Sequence, residues 1–488
     1  MNRRRFLKYA GTTAAVVGAS ALGLDYLLKP QSGSQNQTAT SSVTTTSPTP
    51  PSISNFQWQP TRIVNGKVYD ATLSFQLQAE SPGADVSGTI DAYAPTIPPR
   101  AYPAEPPRNL QFNQPTASGT RSTQIADLKG GKYYQATVKV RDSAGKDANA
   151  QFQTPYVREF ENLAKDTKLR IGAYYYPWYR VDGWEPNTNH VEPPKGSPLL
   201  GYYDSSDDIV ISKHIDWATG HGISSWTSSW EGIGATGGNT NRLFNNSLSD
   251  EMEIGVYYES TSRLKVDETN PTEETIDLSD NENLNTLISD TRSFASNLFL
   301  YPNYQKLNGR PILSFYFSRT FVGDVEHAIG SVRDAAQDFG FRLFIIGDEL
   351  EWWNNPNKTP TERLRLYDAI TAYVLPGNLA DWYNTDYETA MDIMLSQWFR
   401  RAQSVGVGFV PVATTGVLIN HVPQSSLIKS VGKFVKRLQI AKKYVDPKLK
   451  TLMICTFNEW FEDTFVEPSI EDGFQYLEAI RDTLATTG

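Results

Sequence analysis

The chain has 488 residues and a formal net charge of −9. That length exceeds one ordinary domain, and the acidic balance lacks the clustered Lys and Arg that a nucleic-acid backbone requires, whereas neutral sugars stay open as partners. The single cysteine, Cys455, excludes an intrachain disulfide, and the five His show no HExxH or other close pair, so no metal or cofactor is expected.

Residues 1–30 open with MNRRRFLKYAG. Arg3, Arg4 and Arg5 ahead of Phe6, Leu7 and Lys8 resemble a twin-arginine export signal. The apolar stretch from Ala10 to Leu28 contains Asp25 and is short and weak for a membrane span. The expectation is export to the exterior or the cell surface, with retention as an N-terminal membrane anchor left open. Residues 31–52 are mostly Ser, Thr, Gln and Pro, a composition that cannot bury a core and reads as an extended tether.

Residues 53–157 read as a small all-β sandwich. Alternating runs such as ATLSFQLQA and YYQATVKVRD are separated by Pro, Gly and Asn clusters. Tyr134, Ala136, Val138 and Val140 fall on one face of a strand. The run from Leu128 through Tyr134 into that strand resembles the end of a fibronectin type III, immunoglobulin-like domain, which makes Tyr134 the expected corner tyrosine bonded back to the backbone. The expected role is a spacer, with sugar binding as the alternative.

Residues 165–488 carry eight short apolar or β-branched runs, at 170–176, 223–230, 253–259, 310–317, 342–348, 369–375, 408–414 and 451–459. Segments with helical spacing lie between them, at 280–300, 324–339, 387–405 and 425–444. Eight such units predict an α/β fold, a (β/α)8 TIM barrel. A doubly wound open sheet would bring a Gly-rich loop after its first strand, but here that strand runs into Tyr-Tyr-Tyr-Pro-Trp (174–178).

Barrel active sites lie at the C-terminal strand ends. That rule selects Tyr174, Tyr176, Trp178 and Tyr179; Trp226 and Trp230; Tyr257, Tyr258 and Glu259; Tyr316 and Arg319; Asp348 and Glu349; Tyr373; and Asn458, Glu459, Trp460 and Glu462. Carboxylates do acid–base work on glycosidic bonds, and aromatic faces stack on sugar rings. About half of the aromatics should nonetheless face the helices. Asp348 and Glu349 read equally well as helix N-caps, and Cys455 as a small buried hydrophobe. The acidic run 277–283 could hold Ca²⁺ or begin a helix.

Residues 456–468, TFNEWFEDTFVEP, resemble the signature of glycoside hydrolase family 99, an Asn-Glu-Trp-x-Glu stretch before a Thr and a later Glu-Pro. Segments 171–184, 201–230 and 307–317 resemble the same family in the same order. The resemblance implies a (β/α)8 barrel, a retaining glycosidase of α-mannosides, and a catalytic pair. Glu462 matches the general acid/base. Glu459 matches the residue proposed to deprotonate the sugar 2-hydroxyl, giving a 1,2-anhydro sugar that water opens. Tyr174, Tyr176, Trp178, Trp226, Trp230, Glu259, Tyr316, Tyr373, Asn458 and Trp460 are candidate substrate contacts by position. The sequence departs from the family pattern at Phe461, where His is common, at Asp463, where Gly is common, and in the seventh-strand segment 410–420. The expected protein is a monomeric, secreted hydrolase of a polysaccharide or glycan. Two alternatives stand: a non-catalytic carbohydrate-binding envelope protein on the same scaffold, and an envelope transglycosylase.

Overall fold

Seven strands precede the barrel: β1 (Ser52–Val64), β2 (Lys67–Gln78), β3 (Asp85–Ala92), β4 (Arg108–Leu110), β5 (Gly119–Ile125), β6 (Tyr134–Arg141) and β7 (Asp147–Gln153). The computed structural model describes residues 49–64, 67–80, 84–93, 105–112, 118–184, 193–267, 274–350, 355–418 and 426–485. The export segment and most of the tether lie outside the described residues. The strands form two antiparallel sheets, ordered β1-β2-β5 and β4-β3-β6-β7. Leu73, Phe75, Ile90, Ala136 and Val138 are buried in one core cluster, so each sheet turns one face inward. Tyr134 shares that inward face with Ala136, Val138 and Val140. Its hydroxyl accepts from Lys129 N (2.8 Å) and donates to Lys129 O (3.2 Å), closing the corner before β6.

The second unit is a parallel sheet with helices packed outside. Its strands and longer helices alternate along the chain. They are β8 (Arg170–Tyr175), α1 (Asp208–Gly220), β9 (Ser225–Trp230), α2 (Gly238–Asn245), β10 (Glu253–Tyr258), α3 (Asn281–Ser296), β11 (Arg310–Phe315), α4 (Val325–Gln337), β12 (Phe344–Asp348), β13 (Ala369–Thr371), α5 (Tyr387–Val405), β14 (Gly408–Phe409), β15 (Val412–Thr414), α6 (Val431–Lys443), β16 (Thr451–Cys455) and α7 (Gln475–Ile480). The parallel sheet runs in the order β14-β13-β12-β11-β10-β9-β8-β16-β15. The seventh run supplies both ends: β14 pairs with β13, and β15, two residues further on, pairs with β16. One broken strand thus brings the sheet back on itself as a TIM-like barrel. Each of the eight sequence runs contains one barrel strand.

Strand phase decides which side chains can meet a ligand. Tyr174, Thr227, Ser314, Thr371 and Met453 line a small cavity inside the barrel, so these positions and their i±2 neighbours point inward. Gly172 and Gly255 share that face, and a Cβ on either would collide with Met453 or Gln305. The acidic run 277–283 opens α3: the Asp280 side chain accepts from Glu282 N, and Asp277 accepts from Ser279 N. Among the described residues, no helix is long and apolar enough to cross a membrane.

α1 is buried from Ile209 to Gly220, including its polar residues. Its outer side receives the linker from the sandwich. Asp216 accepts from Glu159 N (2.6 Å) and Phe160 N (3.2 Å) and pairs with Arg158 (3.3 Å). The Tyr133 hydroxyl meets Ser212 (2.7 Å) and Ser247 (2.8 Å), and Tyr133, Tyr156 and Ile209 share an apolar cluster. The sandwich is therefore fastened to the barrel by buried polar contacts as well as by the chain.

Candidate active site

The loop after β16 carries the densest constellation. The Tyr373 hydroxyl, just beyond β13, donates to Glu462 Oε2 at 2.7 Å. Glu462 is half-buried, whereas Tyr373 is buried among inward-facing tyrosines. Ring centroids lie 4.5 Å apart for Tyr174–Tyr257, 5.4 Å for Tyr174–Tyr373, 5.6 Å for Tyr257–Tyr316 and 5.5 Å for Tyr316–Tyr373. Burial pushes the Tyr257 hydroxyl well above its usual range, and Tyr174, Asp348, Tyr176 and Glu259 push it the same way. These residues, from strands one, three, four, five and six, therefore occupy one interior site. Trp178 joins it by stacking on Tyr176 at 4.6 Å.

Glu459 takes a different place on the same loop. It is buried, its Oε1 accepts from Phe461 N (3.0 Å), and its own N–H donates to Thr456 Oγ1 (2.9 Å). Its charge acts on Tyr179, whose hydroxyl burial already pushes well up. Glu459 thus faces the strand-one side of the loop, and Glu462 faces strand six.

Asn458 and Trp460 frame the loop. Asn458 Oδ1 accepts from Tyr176 N (2.7 Å), and its Nδ2 donates to Tyr176 O (2.9 Å). The Tyr179 hydroxyl donates to Asn458 O (2.7 Å) and accepts from Trp460 N (3.0 Å). Glu467 closes the loop: its Oε2 accepts from Trp460 Nε1 and the Tyr203 hydroxyl, both at 2.8 Å, and its Oε1 meets His214 Nε2 at 3.0 Å. Tyr175 in turn meets His214 Nδ1 at 3.1 Å. Buried polar groups need such partners, and here the partners come from α1 and the first strand. The positional expectation that Asn458 and Trp460 touch substrate is therefore corrected: their polar atoms are committed to the scaffold.

Trp226 and Trp230 require the same correction, for a different reason. They are out of phase with inward-facing Thr227, so their rings leave on the helix side. Trp226 stacks on Tyr175 at 4.2 Å and lies 5.3 Å from Phe457. Trp230 packs edge-on against Phe294 of α3 at 4.7 Å. Tyr258 also faces outward, bonded to Asp290 at 2.9 Å.

Among the described residues, neither Asp348 nor Glu349 caps a helix. Asp348 pairs with Arg319 at 3.2 Å and accepts from Phe317 N at 3.2 Å; burial pushes its carboxyl up to about 6 against the Arg319 charge. Phe317 holds a left-handed backbone (φ 52°), and the Arg319 guanidinium lies 3.7 Å from its ring centroid. Glu349 is gripped by Arg363 through Nε (3.0 Å) and Nη2 (3.1 Å). Sequence reasoning missed the roles of His214, Tyr203, Arg363 and Glu467. Only Glu467 carried a signal, as the Glu-Pro that ends the 456–468 motif. Among the described residues, no group of three or more His, Cys, Asp or Glu could hold a metal.

The chain matches no described protein family and no curated protein. Among solved structures it is similar to a GH99 endo-alpha-mannosidase from Bacteroides thetaiotaomicron in complex with bis-tris-propane, at 16% identity and a TM-score of 0.49, covering 65% of this chain and 96% of that one. A second structure, of the GH99 endo-alpha-mannosidase from the same organism, gives 15% identity and a TM-score of 0.47 over 65% of this chain and 99% of that one. An endo-beta-1,4-glucanase from Xanthomonas axonopodis gives 9% identity and a TM-score of 0.41 over 64% and 99%.

Proposed function

We propose that the chain is a retaining glycoside hydrolase that cleaves α-mannoside-type linkages in a polysaccharide or glycan, with Glu462 as general acid/base. The observation that carries the reading is the Tyr373–Glu462 hydrogen bond at the C-terminal end of the barrel, among inward-facing tyrosines. A carboxyl held in place by a tyrosine donor can protonate a leaving oxygen and then activate water. Trp178, only partly buried where it stacks beside Tyr176, can offer a flat apolar face to a pyranose. Glu459, turned toward strand one, is the candidate base for the sugar 2-hydroxyl. Removing that proton lets the 2-oxygen attack the anomeric carbon from within the sugar. The 1,2-anhydro ring then opens to water with the original configuration.

The N-terminal unit is, in this reading, a fibronectin type III-like spacer, and residues 1–30 direct export by the twin-arginine route or anchor the chain in the membrane. The strand order β1-β2-β5 over β4-β3-β6-β7 and the Tyr134 corner support the first part. The test of mechanism is stereochemical. Proton NMR of the first product formed from an α-mannan should show the α anomer before mutarotation. A β anomer as first product would contradict the retaining mechanism.

A further inference from the structure

A buried ammonium lies beside the proposed catalytic loop. Lys429 leaves only 9% of its side chain exposed, with Nζ 3.8 Å from Asp463 Oδ1 and 4.0 Å from Asp472 Oδ2. These are ion-pair rather than hydrogen-bond distances. Its remaining surroundings are aromatic: Nζ is 3.0 Å from the Phe465 ring centroid and 4.6 Å from that of Tyr476. The ring faces attract the cation, but they do not replace the hydration it loses on burial, so the carboxylates must supply the rest.

Asp463 follows Glu462 directly and takes a left-handed backbone conformation (φ 57°). Glycine adopts that region without cost, and Asp tolerates it better than most residues. The arm after β15 meets the loop at consecutive points. Leu418 N donates to Glu462 O (2.8 Å), and Thr415 Oγ1 donates to Asp463 O (3.4 Å). Val417 and Leu427 exchange backbone hydrogen bonds of 2.8 and 2.6 Å, which places Lys429 on the returning side of the same arm.

We propose that Lys429 is a positioning residue for the catalytic loop, its ammonium fixing Asp463 and so aiming Glu462 at Tyr373. The proposal rests on the reading of Glu462 as the acid/base. Burial pushes Lys429 down to about 8 and Asp463 up to about 6, with each partner's charge opposing the shift. Both members are therefore charged between about pH 6 and pH 8. The other groups facing the pair are Asp472 and Glu471 near the start of α7, Lys195 toward Asp463, and Tyr476 with Arg437 behind it.

Two substitutions separate the pair from its frame. Lys429→Met keeps an unbranched stem between the rings and removes the charge. Asp463→Gly keeps the left-handed backbone and removes the carboxylate. Both, and the double variant, are assayed for kcat against pH on the glycan whose turnover Glu462→Gln abolishes. Each single variant should lower kcat about tenfold or more with KM within about twofold of wild type. Each should also lose the decline in rate between pH 8 and 9, and the double variant should be no worse than either single one. Wild-type kcat and pH profile in both variants, or losses that add in the double, would overturn the positioning role while leaving the hydrolase reading intact. A wild-type enzyme that turns over no glycan would overturn both. Thermal unfolding against pH needs no substrate: each single variant should melt below the double, whereas additive changes would show that the two side chains do not act as a pair.

Discussion

In the proposed mechanism, Tyr373 and Glu462 are the pair on which the chemistry turns. Removing the tyrosine hydroxyl leaves the ring stack in place and deletes one bond to a charged acceptor. Tyr373→Phe should therefore cost about 1.5–3 kcal/mol in transition-state stabilisation, or roughly tenfold to a hundredfold in kcat, at unchanged melting temperature. Trp226 is the contrasting case. It is fully buried on the helix side, stacked on Tyr175. Trp226→Ala should destabilise the fold by about 3–5 kcal/mol in urea titrations, and glycan affinity of the folded fraction should not change. A selective loss of affinity at unchanged stability would place Trp226 in the site after all. Sequence alone could not separate these residues. The strands of a parallel sheet are apolar on both faces, so the pattern shows a strand but not its phase. Tyr174 and Trp226 look alike on paper, and only the cavity lining tells inward from outward.

At the scale of elements, the loop after β16 is held by two clamps from opposite sides. One is Glu467 with His214, Tyr203 and Trp460; the other is Lys429 with Asp463. Glu467→Ala leaves three buried donors without their acceptor and should cost about 3–5 kcal/mol in unfolding free energy. The reading would be wrong if chemical denaturation showed a change below about 1 kcal/mol. The eight strand positions were legible because each is a short apolar run bounded by turn or helix signals. The break in the seventh strand was not, since Val410 still bonds to Ile370 and Pro411 to Met453 as the strand passes from one neighbour to the other, and both are apolar like the residues around them. The clamps were also hidden. His214 and Glu467 lie 253 positions apart, and no local periodicity reports a pairing over that span. The 456–468 motif did single out the loop itself, and there the resemblance carried more than the physics.

For the whole molecule, the buried acids set a pH dependence of stability. Burial pushes Asp216, Asp348 and Asp463 each up to about 6 from 3.8. The folded state then binds more protons than the unfolded chain between about pH 4 and 6, so the stability these groups confer is lost as pH rises through that window. The melting temperature should be higher near pH 5 than at pH 7.5, and Asp216→Asn should reduce the difference. A flat profile would mean that Arg158, Arg319 and Lys429 hold these carboxyls charged throughout. The charges at Asp216, Arg158 and Lys213 also tie the sandwich linker to α1. The central claim, however, is turnover. Release of reducing ends should be measured for the full chain and Glu462→Gln on α-mannans and on bacterial and archaeal envelope glycans. The account predicts release from one of these substrates, lowered about a hundredfold or more by the substitution. No release from any of them, with glycan binding equal in the two proteins, would contradict it and leave a binding protein on a barrel scaffold.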